Sequence, residues 1–279
     1  DCVYCQLGSK PGLRLRRFSG LDFNKLKSQL SKAVKSGKKI DYITISGSGE
    51  PTLVKGLKKI IAEIKKISNE RYPVCVITNS SLLYLKSVRK ELMAADLIIP
   101  SLDAASEKTF CKINRPHKSI SLHKVIEGLM KLSKEFKGAI WLEIMLVKGY
   151  NDSLSEAKKF KKIISKLKPD KVQLNLPIRP PAENINIPDK TRVEEIKKII
   201  SESAEVVVDN RRKQISDKSA IDLEGLLLNF LKVRPATVDD LESSLGLNAE
   251  TVSKELKTLK RNKQIKEIKR NKKKYFVIR

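Results

Sequence analysis

Short apolar runs alternate with longer amphipathic stretches along most of the chain, and this alternation constrains the fold more than any other feature. The runs are rich in β-branched residues, which predicts buried strands. They lie at 40–46, 74–78, 97–101, 139–147 and 171–176, with a shorter run at 205–209. Between them, apolar residues recur at helical spacing. Strands that alternate with helices pair in parallel, so we expect an α/β fold with a parallel sheet.

The pattern changes near residue 210. A polar, charged segment at 209–220 predicts a linker, and residues 221–279 show no further alternation of strands and helices. They predict three helices followed by a β-hairpin. The second helix begins with a capping box from Thr237 to Asp240, and Asn248 caps the third. This order is typical of a small winged-helix domain, a variant of the helix-turn-helix.

The chain has a formal net charge of +26, which favours a polyanionic partner. A Lys-rich solvated surface would give the same total, so the distribution of charge is more informative. Residues 254–279 contain twelve basic and two acidic residues. The basic residues expected to face a nucleic acid are Lys254, Lys257, Arg261, Lys272, Lys273 and Lys274. We expect them to contact phosphates of RNA or DNA, and a solvated face on a protein-contact domain is the open alternative.

Small or polar residues stand at the ends of the predicted strands. Ligands of parallel α/β folds bind beyond the carboxyl ends of the strands. The candidate ligand-binding residues there are Gly47, Gly49, Glu50, Asn79, Ser101, Asp103, Lys148 and Asn175. The stretch SGSGEP is neither a P-loop nor a dinucleotide fingerprint. A carboxylate beside exposed backbone suits a ligand with an amino group, and a glycine-rich turn with a helix-capping Glu50 is the alternative.

Cys2 and Cys5 form a C-x-x-C pair that encloses Tyr4. A structural zinc site needs four ligands, a thioredoxin-type pair usually lies between a strand and a helix, and thiolates also hold iron–sulfur clusters. The pair alone does not decide among these. Four scattered cysteines are too few for a disulfide framework, which favours a reducing, cytoplasmic setting. The sequence has no run of about 18 apolar residues, so no membrane span is expected.

Taken together, these residues resemble the radical SAM superfamily over residues 1–208. The fingerprint of that family is C-x3-C-x-Φ-C, in which Φ is aromatic. The stretch CVYC is similar to its last part, with Tyr4 at Φ and with Cys2 and Cys5 as metal ligands. By this resemblance, the first cysteine would precede Asp1 by three residues, and the first barrel strand would also lie before it.

The resemblance also implies roles at the strand ends. SGSGEP is similar to the Gly-Gly-Glu segment with which the family binds the amino group of the methionine moiety. Gly49 and Glu50 match its second glycine and its acid, and Gly47 lies one position before the usual first glycine. Ser101 and Asp103 fall where the family contacts the ribose and the methionine carboxylate. The looser matches at this rim are Asn79, Lys148 and Asn175.

The fold and function that the resemblance implies are specific. It implies a partial parallel (β/α)6 barrel that binds a [4Fe–4S] cluster and S-adenosylmethionine (SAM) and cleaves SAM reductively to a 5′-deoxyadenosyl radical. The stretches CVYCQLG, SLDAASEKTF and LNLPIRPPAE are similar to wyosine-type tRNA-modifying members. That similarity implies tRNA or another nucleic acid as substrate, and an electron donor protein as partner. A SAM- or redox-sensing regulator with the winged helix as its output is the alternative.

Overall fold

The computed structural model of the chain describes residues 1–5, 15–19, 23–35, 39–47, 49–178, 183–207, 223–245, 247–270 and 273–279. The predicted linker at 209–220 and Lys272 lie outside the described residues. Within those ranges the chain forms two compact units. The first comprises residues 1–2, 15–176 and 186–207, and the second comprises 3–5, 177–178, 183–185 and 223–279.

Six parallel strands form the sheet of the first unit. They cross the sheet in chain order, so each strand neighbours the next one along the chain. The strands are β1 (Ile43–Ile45), β2 (Val74–Thr78), β3 (Leu97–Pro100), β4 (Ala139–Met145), β5 (Lys171–Asn175) and β6 (Glu205–Val206). The predicted α/β fold with a parallel sheet is confirmed. β1 is shorter than the predicted run 40–46 because only Ile43, Thr44 and Ile45 have partners in β2.

Seven helices connect or flank these strands in the described part of the first unit. They are α1 (Phe23–Lys35), α2 (Leu57–Ile67), α3 (Lys86–Leu92), α4 (Glu107–Ile113), α5 (Leu122–Glu135), α6 (Leu154–Leu167) and α7 (Lys190–Ile200). Their apolar stripes lie against the sheet, as the burial of Leu57, Ile61 and Ile64 on α2 shows. No helix in the described ranges of the chain is long and apolar enough to cross a membrane.

The second unit contains three helices and an antiparallel hairpin. These are α8 (Leu223–Val233), α9 (Val238–Leu245), α10 (Ala249–Arg261), β7 (Ile265–Arg270) and β8 (Lys273–Ile278). Their shared core includes Leu227, Leu241 and Leu256. The predicted capping box is present: the Thr237 N–H donates to Asp240 Oδ2 at 2.9 Å, and the Asp240 N–H donates to Thr237 Oγ1 at 3.1 Å. The elements follow the predicted order, and the winged-helix assignment stays a prediction.

A short segment after β5 belongs to the second unit through hydrogen bonds with the hairpin. The Tyr275 hydroxyl donates to the Ile178 carbonyl at 3.2 Å. Arg270 Nη2 donates to the Ile185 carbonyl at 2.6 Å. The described units therefore do not follow chain order, whereas the sequence predicts that this segment belongs to a domain spanning 1–208.

Helix α5 approaches the loop after β2 so closely that only glycine fits at one position. A Cβ added to Gly128 would lie 2.5 Å from the Tyr84 backbone nitrogen and 2.6 Å from the Leu83 carbonyl carbon. Real Cβ atoms do not approach backbone this closely. The helix and the loop would therefore have to separate to admit a larger residue.

We expect Gly128→Ala to lower the free energy of unfolding by about 1–3 kcal/mol, the usual cost of overpacking. This cost outweighs the roughly 1 kcal/mol that alanine gains over glycine inside a helix. Urea denaturation measures the change. Gly49→Ala is the matched control, because a Cβ there meets nothing within 4 Å. Equal stability of Gly128→Ala and the unchanged chain would contradict the close approach.

Candidate functional site

The carboxyl ends of β1 to β5 lie along one side of the sheet, called here the carboxyl edge. Because these strands are parallel and adjacent, residues far apart in the chain meet there. The predicted residues at or just after strand ends are Gly47, Gly49, Glu50, Asn79, Ser101, Asp103, Lys148 and Asn175. The carboxyl edge is also where ligands of open parallel sheets bind.

Glu50 connects the end of β1 to the end of β2. Its Oε1 accepts hydrogen bonds from the Thr52 N–H (3.1 Å), the Thr52 hydroxyl (2.6 Å) and the Thr78 hydroxyl (2.5 Å). Its Oε2 accepts from the Asn79 N–H at 2.7 Å. Glu50 also caps the 3₁₀ turn Pro51–Leu53. The capping alternative is thus present in the structure, and the binding of an amino group by Glu50 stays a prediction.

The two predicted glycines of this loop leave open space beside the backbone. A Cβ added to Gly49 would meet nothing within 4 Å, and one added to Gly47 would meet only the Gly49 backbone, at 3.6 and 3.7 Å. Packing within the described chain therefore does not require glycine at either position. Their lack of side chains leaves the backbone accessible to a ligand.

Three polar side chains at the ends of β3, β4 and β5 form a group named here the Glu143 cluster: Ser101, Glu143 and Asn175. Asn175 Nδ2 donates a short hydrogen bond to Glu143 Oε1, and Ser101 Oγ donates to Oε2 at 3.3 Å. Both partners are neutral. Burial raises the pKa of Glu143, and the negative charge of Asp103 raises that pKa further. The cluster therefore suits a ligand that donates hydrogen bonds or carries positive charge.

Asp103 is only 4% exposed and is bonded on both carboxylate oxygens. Oδ1 accepts from the Met145 N–H at 2.9 Å, and Oδ2 accepts from Asn114 Nδ2 at 2.7 Å. Asn114 Nδ2 also donates to Cys2 Sγ at 3.4 Å. Asn114 thus links Asp103 to the predicted cluster ligand Cys2, and the contact of Asp103 with SAM stays a prediction.

The four cysteines differ in their surroundings. Cys2 and Cys5 are half-buried thiols outside any disulfide, Cys111 is exposed, and Cys75 is buried in β2. Burial raises the pKa of Cys75 to about 11, so this residue remains a thiol. Within the described ranges, no group of three or more His, Cys, Asp or Glu is arranged to hold a metal ion. Cys2 and Cys5 are the pair of thiols that the sequence predicts as cluster ligands, and this role stays a prediction.

The remaining predicted residues have modest roles in the structure. Lys148 forms an exposed ion pair with Asp189 at 2.9 Å, which is a surface contact. Asn79 is exposed, and its Oδ1 accepts from the Ser81 N–H at 3.0 Å. Tyr4 is half-buried in the second unit. A cofactor role for these three residues stays a prediction.

Two residues of the site were missed from the sequence. Glu143 is a lone carboxylate inside the apolar stretch AIWLEIM, a pattern that signals an inward polar side chain on a buried strand. Asn114 caps the C-terminus of α4 within INRPH. No local pattern relates Asn114 to Cys2, because the two residues are 112 positions apart.

Comparison with known proteins identifies the family. The family model of the radical SAM superfamily matches residues 1–160. This chain belongs to the radical SAM superfamily. Enzymes of that superfamily use a [4Fe–4S] cluster and SAM, so the predicted pair of cofactors and the radical SAM class of enzyme are confirmed.

Three curated relatives are similar to the chain over much of its length. A protein named GTPase Obg from Brachyspira hyodysenteriae is 39% identical over 93% of the chain and 38% of its own length. A UPF0026 protein from Methanocaldococcus jannaschii is 34% identical over 76% of the chain and 65% of its own length. A protein from Thermotoga petrophila, named Probable dual-specificity RNA methyltransferase RlmN, is 24% identical over 78% of the chain and 63% of its own length. The chain thus spans about 38% to 65% of these relatives.

We expect Glu50→Gln to lower the free energy of unfolding by about 1–3 kcal/mol. Its amide NH2 would replace an oxygen that now accepts hydrogen bonds, and an unsatisfied buried partner costs about that much. Chemical denaturation measures the effect, and Glu194→Gln on the exposed face of α7 is the matched control. The same variant should weaken SAM binding roughly ten- to a hundred-fold if Glu50 binds its amino group. Unchanged SAM affinity would leave Glu50 with the capping role alone.

Glu143 should make the stability of the fold pH-dependent. Its pKa is raised in the folded state, so the folded chain binds a proton that the unfolded chain has already released. Stability from this group therefore falls as the pH rises from the ordinary carboxyl pKa through the raised one. Urea denaturation measures the free energy of unfolding of Glu143→Gln and of the wild type. The value for the variant minus the value for the wild type should be larger at pH 7 than at pH 4. A difference between Glu143→Gln and the wild type that does not change with pH would contradict the raised pKa.

Proposed function

We propose that this chain binds SAM at the carboxyl edge, cleaves it reductively and directs the resulting radical to an RNA. The observation that carries the proposal is the acceptor-rich carboxyl edge beside Cys2. Glu143 has neutral partners, and Asn114 Oδ1 and Asn175 Oδ1 are buried with no hydrogen-bond partner among the described residues. SAM carries an ammonium group, a sulfonium and two ribose hydroxyls. These groups supply the positive charge and the donors that such a site requires.

Cys2 and Cys5 would hold the iron–sulfur cluster through their thiolates. When bound, the cluster supplies the electron that breaks the sulfonium C–S bond of SAM, which yields methionine and a 5′-deoxyadenosyl radical. An electron donor protein would provide that electron. The chain itself binds and orients SAM through the carboxyl edge and shields the reaction from water.

The second unit supports RNA as the substrate class. Lys254, Lys257 and Arg261 are exposed and share one face of α10. In the hairpin, Lys269 lies in register with Lys274, which forms an ion pair with Glu267 at 3.6 Å. A phosphate beside the two lysines would offset the repulsion that Glu267 leaves between them. The name of the Thermotoga petrophila relative states that RNA is the substrate of that protein, and tRNA is the RNA that the sequence motifs favour.

A regulatory role is the alternative, in which the first unit senses SAM or redox state and the second binds nucleic acid. Turnover distinguishes the two. A sensor needs SAM binding, whereas an enzyme must release 5′-deoxyadenosine.

We expect the reduced, reconstituted full-length protein to form 5′-deoxyadenosine from SAM, measured by chromatography. Cys2→Ala and Cys5→Ala should abolish iron binding and this product, because each removes a cluster thiolate. Cys111→Ala is the control, because this exposed thiol lies on α4 outside the C-x-x-C pair. Iron content like that of the wild type in either Cys2→Ala or Cys5→Ala would overturn the cluster assignment.

We expect structured RNA to bind with an affinity that falls as salt rises, at a slope of about −0.7 to −0.9 per phosphate neutralised. Replacing Lys254, Lys257 and Arg261 by Ala should flatten that slope by up to about two or three units. The matched control replaces Lys158, Lys161 and Lys162, three exposed lysines of α6 in the first unit. Equal slopes for the two triple variants would make the second unit a protein-contact module. Titrating tRNA and duplex DNA in parallel identifies the preferred nucleic acid.

A further inference from the structure

The side-chain amide of Asn114 lies between a buried carboxylate and a predicted cluster ligand. One nitrogen, Nδ2, donates to Asp103 Oδ2 at 2.7 Å and to Cys2 Sγ at 3.4 Å. An NH2 group has two hydrogens, so it can serve both acceptors. This contact joins two residues of the radical SAM match that are 112 positions apart, and the roles predicted above do not include it.

Asp103 determines which way this amide points. The reversed amide would place its oxygen 2.7 Å from a carboxylate oxygen, which is repulsive. Asp103 is itself held by the Met145 N–H at 2.9 Å and is only 4% exposed. The nitrogen of Asn114 is therefore directed to Cys2 through a series of contacts that begins in the backbone of β4.

The backbone also places Asn114. Asn114 caps α4, and its N–H donates to the Phe110 carbonyl at 3.0 Å. Arg115 follows with φ at +44°, in the left-handed region, and Pro116 cannot continue the helix. The helix end therefore fixes the backbone position from which the short Asn114 side chain reaches the site.

The oxygen of the same amide is a second sign of a ligand site. Asn114 Oδ1 is buried and has no hydrogen-bond partner among the described residues. An amide needed only to support the fold would be expected to have both ends satisfied. Here the nitrogen end is committed to Asp103 and Cys2, and the oxygen remains available to a donor.

We propose that Asn114 is a positioning residue for the iron–sulfur cluster: it donates an N–H···S hydrogen bond to the Cys2 thiolate, Asp103 orients it, and the bond raises the reduction potential of the cluster. This inference rests on the proposed role of Cys2 as a cluster ligand. Hydrogen bonds to cluster sulfurs stabilise negative charge, and the reduced cluster carries one more electron than the oxidised one. The bond therefore favours reduction, and outer contacts of this kind also orient the ligand.

The test is a redox titration of the reconstituted full-length protein, followed by electron paramagnetic resonance and by iron content. Asn114→Leu keeps the approximate shape of the side chain and removes the donor. We expect reduction of its cluster to become about tenfold less favourable, a shift of about 59 mV to more negative potential for a one-electron couple. Asn229→Leu, at an exposed position of α8, is the control for the same chemical change.

Asp103→Asn provides a second, isosteric variant. Its new NH2 group would favour the reversed Asn114 amide, which would turn an oxygen towards Cys2. We expect a negative shift that is smaller than that of Asn114→Leu, because loss of the Asp103 charge by itself favours reduction. The double variant should have a more positive potential than Asn114→Leu alone, because the contact is already absent and only the charge effect remains.

The outcomes separate this inference from the proposed function. A wild-type protein that binds no cluster would refute the proposed role of Cys2. A loaded Asn114→Leu with the potential of the wild type would overturn the role of Asn114 alone. If Asn114→Leu takes up no cluster or fails to fold, Asp103→Asn decides: an unshifted or more positive potential, as loss of the charge alone would give, overturns the inference, and a negative shift supports it.

Discussion

Parallel pairing of the six strands is the constraint on which the site depends. Each crossover returns the chain in the same direction, so the strand ends converge on one edge. Glu50 thereby reaches the Asn79 N–H, 29 residues away, and Asp103 reaches the Met145 N–H, 42 residues away. These contacts connect β1 to β2 and β3 to β4 at the edge. The topology, more than any local motif, determines which polar groups meet.

The carboxyl groups at that edge differ in how much free energy their burial costs. Asp103 has two donors for its two oxygens, which offset its burial. Glu143 has an amide and a hydroxyl as partners and the charge of Asp103 nearby, so its charged form is disfavoured. A carboxyl whose pKa is raised by burial and a neighbouring charge is a candidate functional group. A cationic ligand with hydrogen-bond donors would offset this cost of the charged Glu143 side chain.

The parts of the structure that depend on local sequence could be predicted, and the parts that depend on long-range contacts could not. Strand runs and the Thr237–Asp240 capping box each involve neighbouring residues, and both are present. Glu50 was found because glycines precede it. Asn114 and Glu143 were missed because their partners lie 112 and 32 residues away. Lys148, by contrast, was placed at the edge by its position after a strand, yet its ammonium group pairs with an aspartate 41 residues further on. Sequence position indicates which edge a residue occupies, but the direction of its side chain depends on its tertiary contacts.

The orphaned amide oxygens connect the stability of the fold to its ligand. Asn114 Oδ1 and Asn175 Oδ1 are buried acceptors with no partner in the described part of the chain. Each such group costs about 1–3 kcal/mol when no donor reaches it. A ligand that donates to both would recover part of that cost only in the folded state. Ligand binding would then raise the free energy of unfolding by about 2.7 kcal/mol at a concentration one hundred times the Kd. The acceptors that reduce the stability of the ligand-free chain are therefore the same atoms that would make ligand binding favourable.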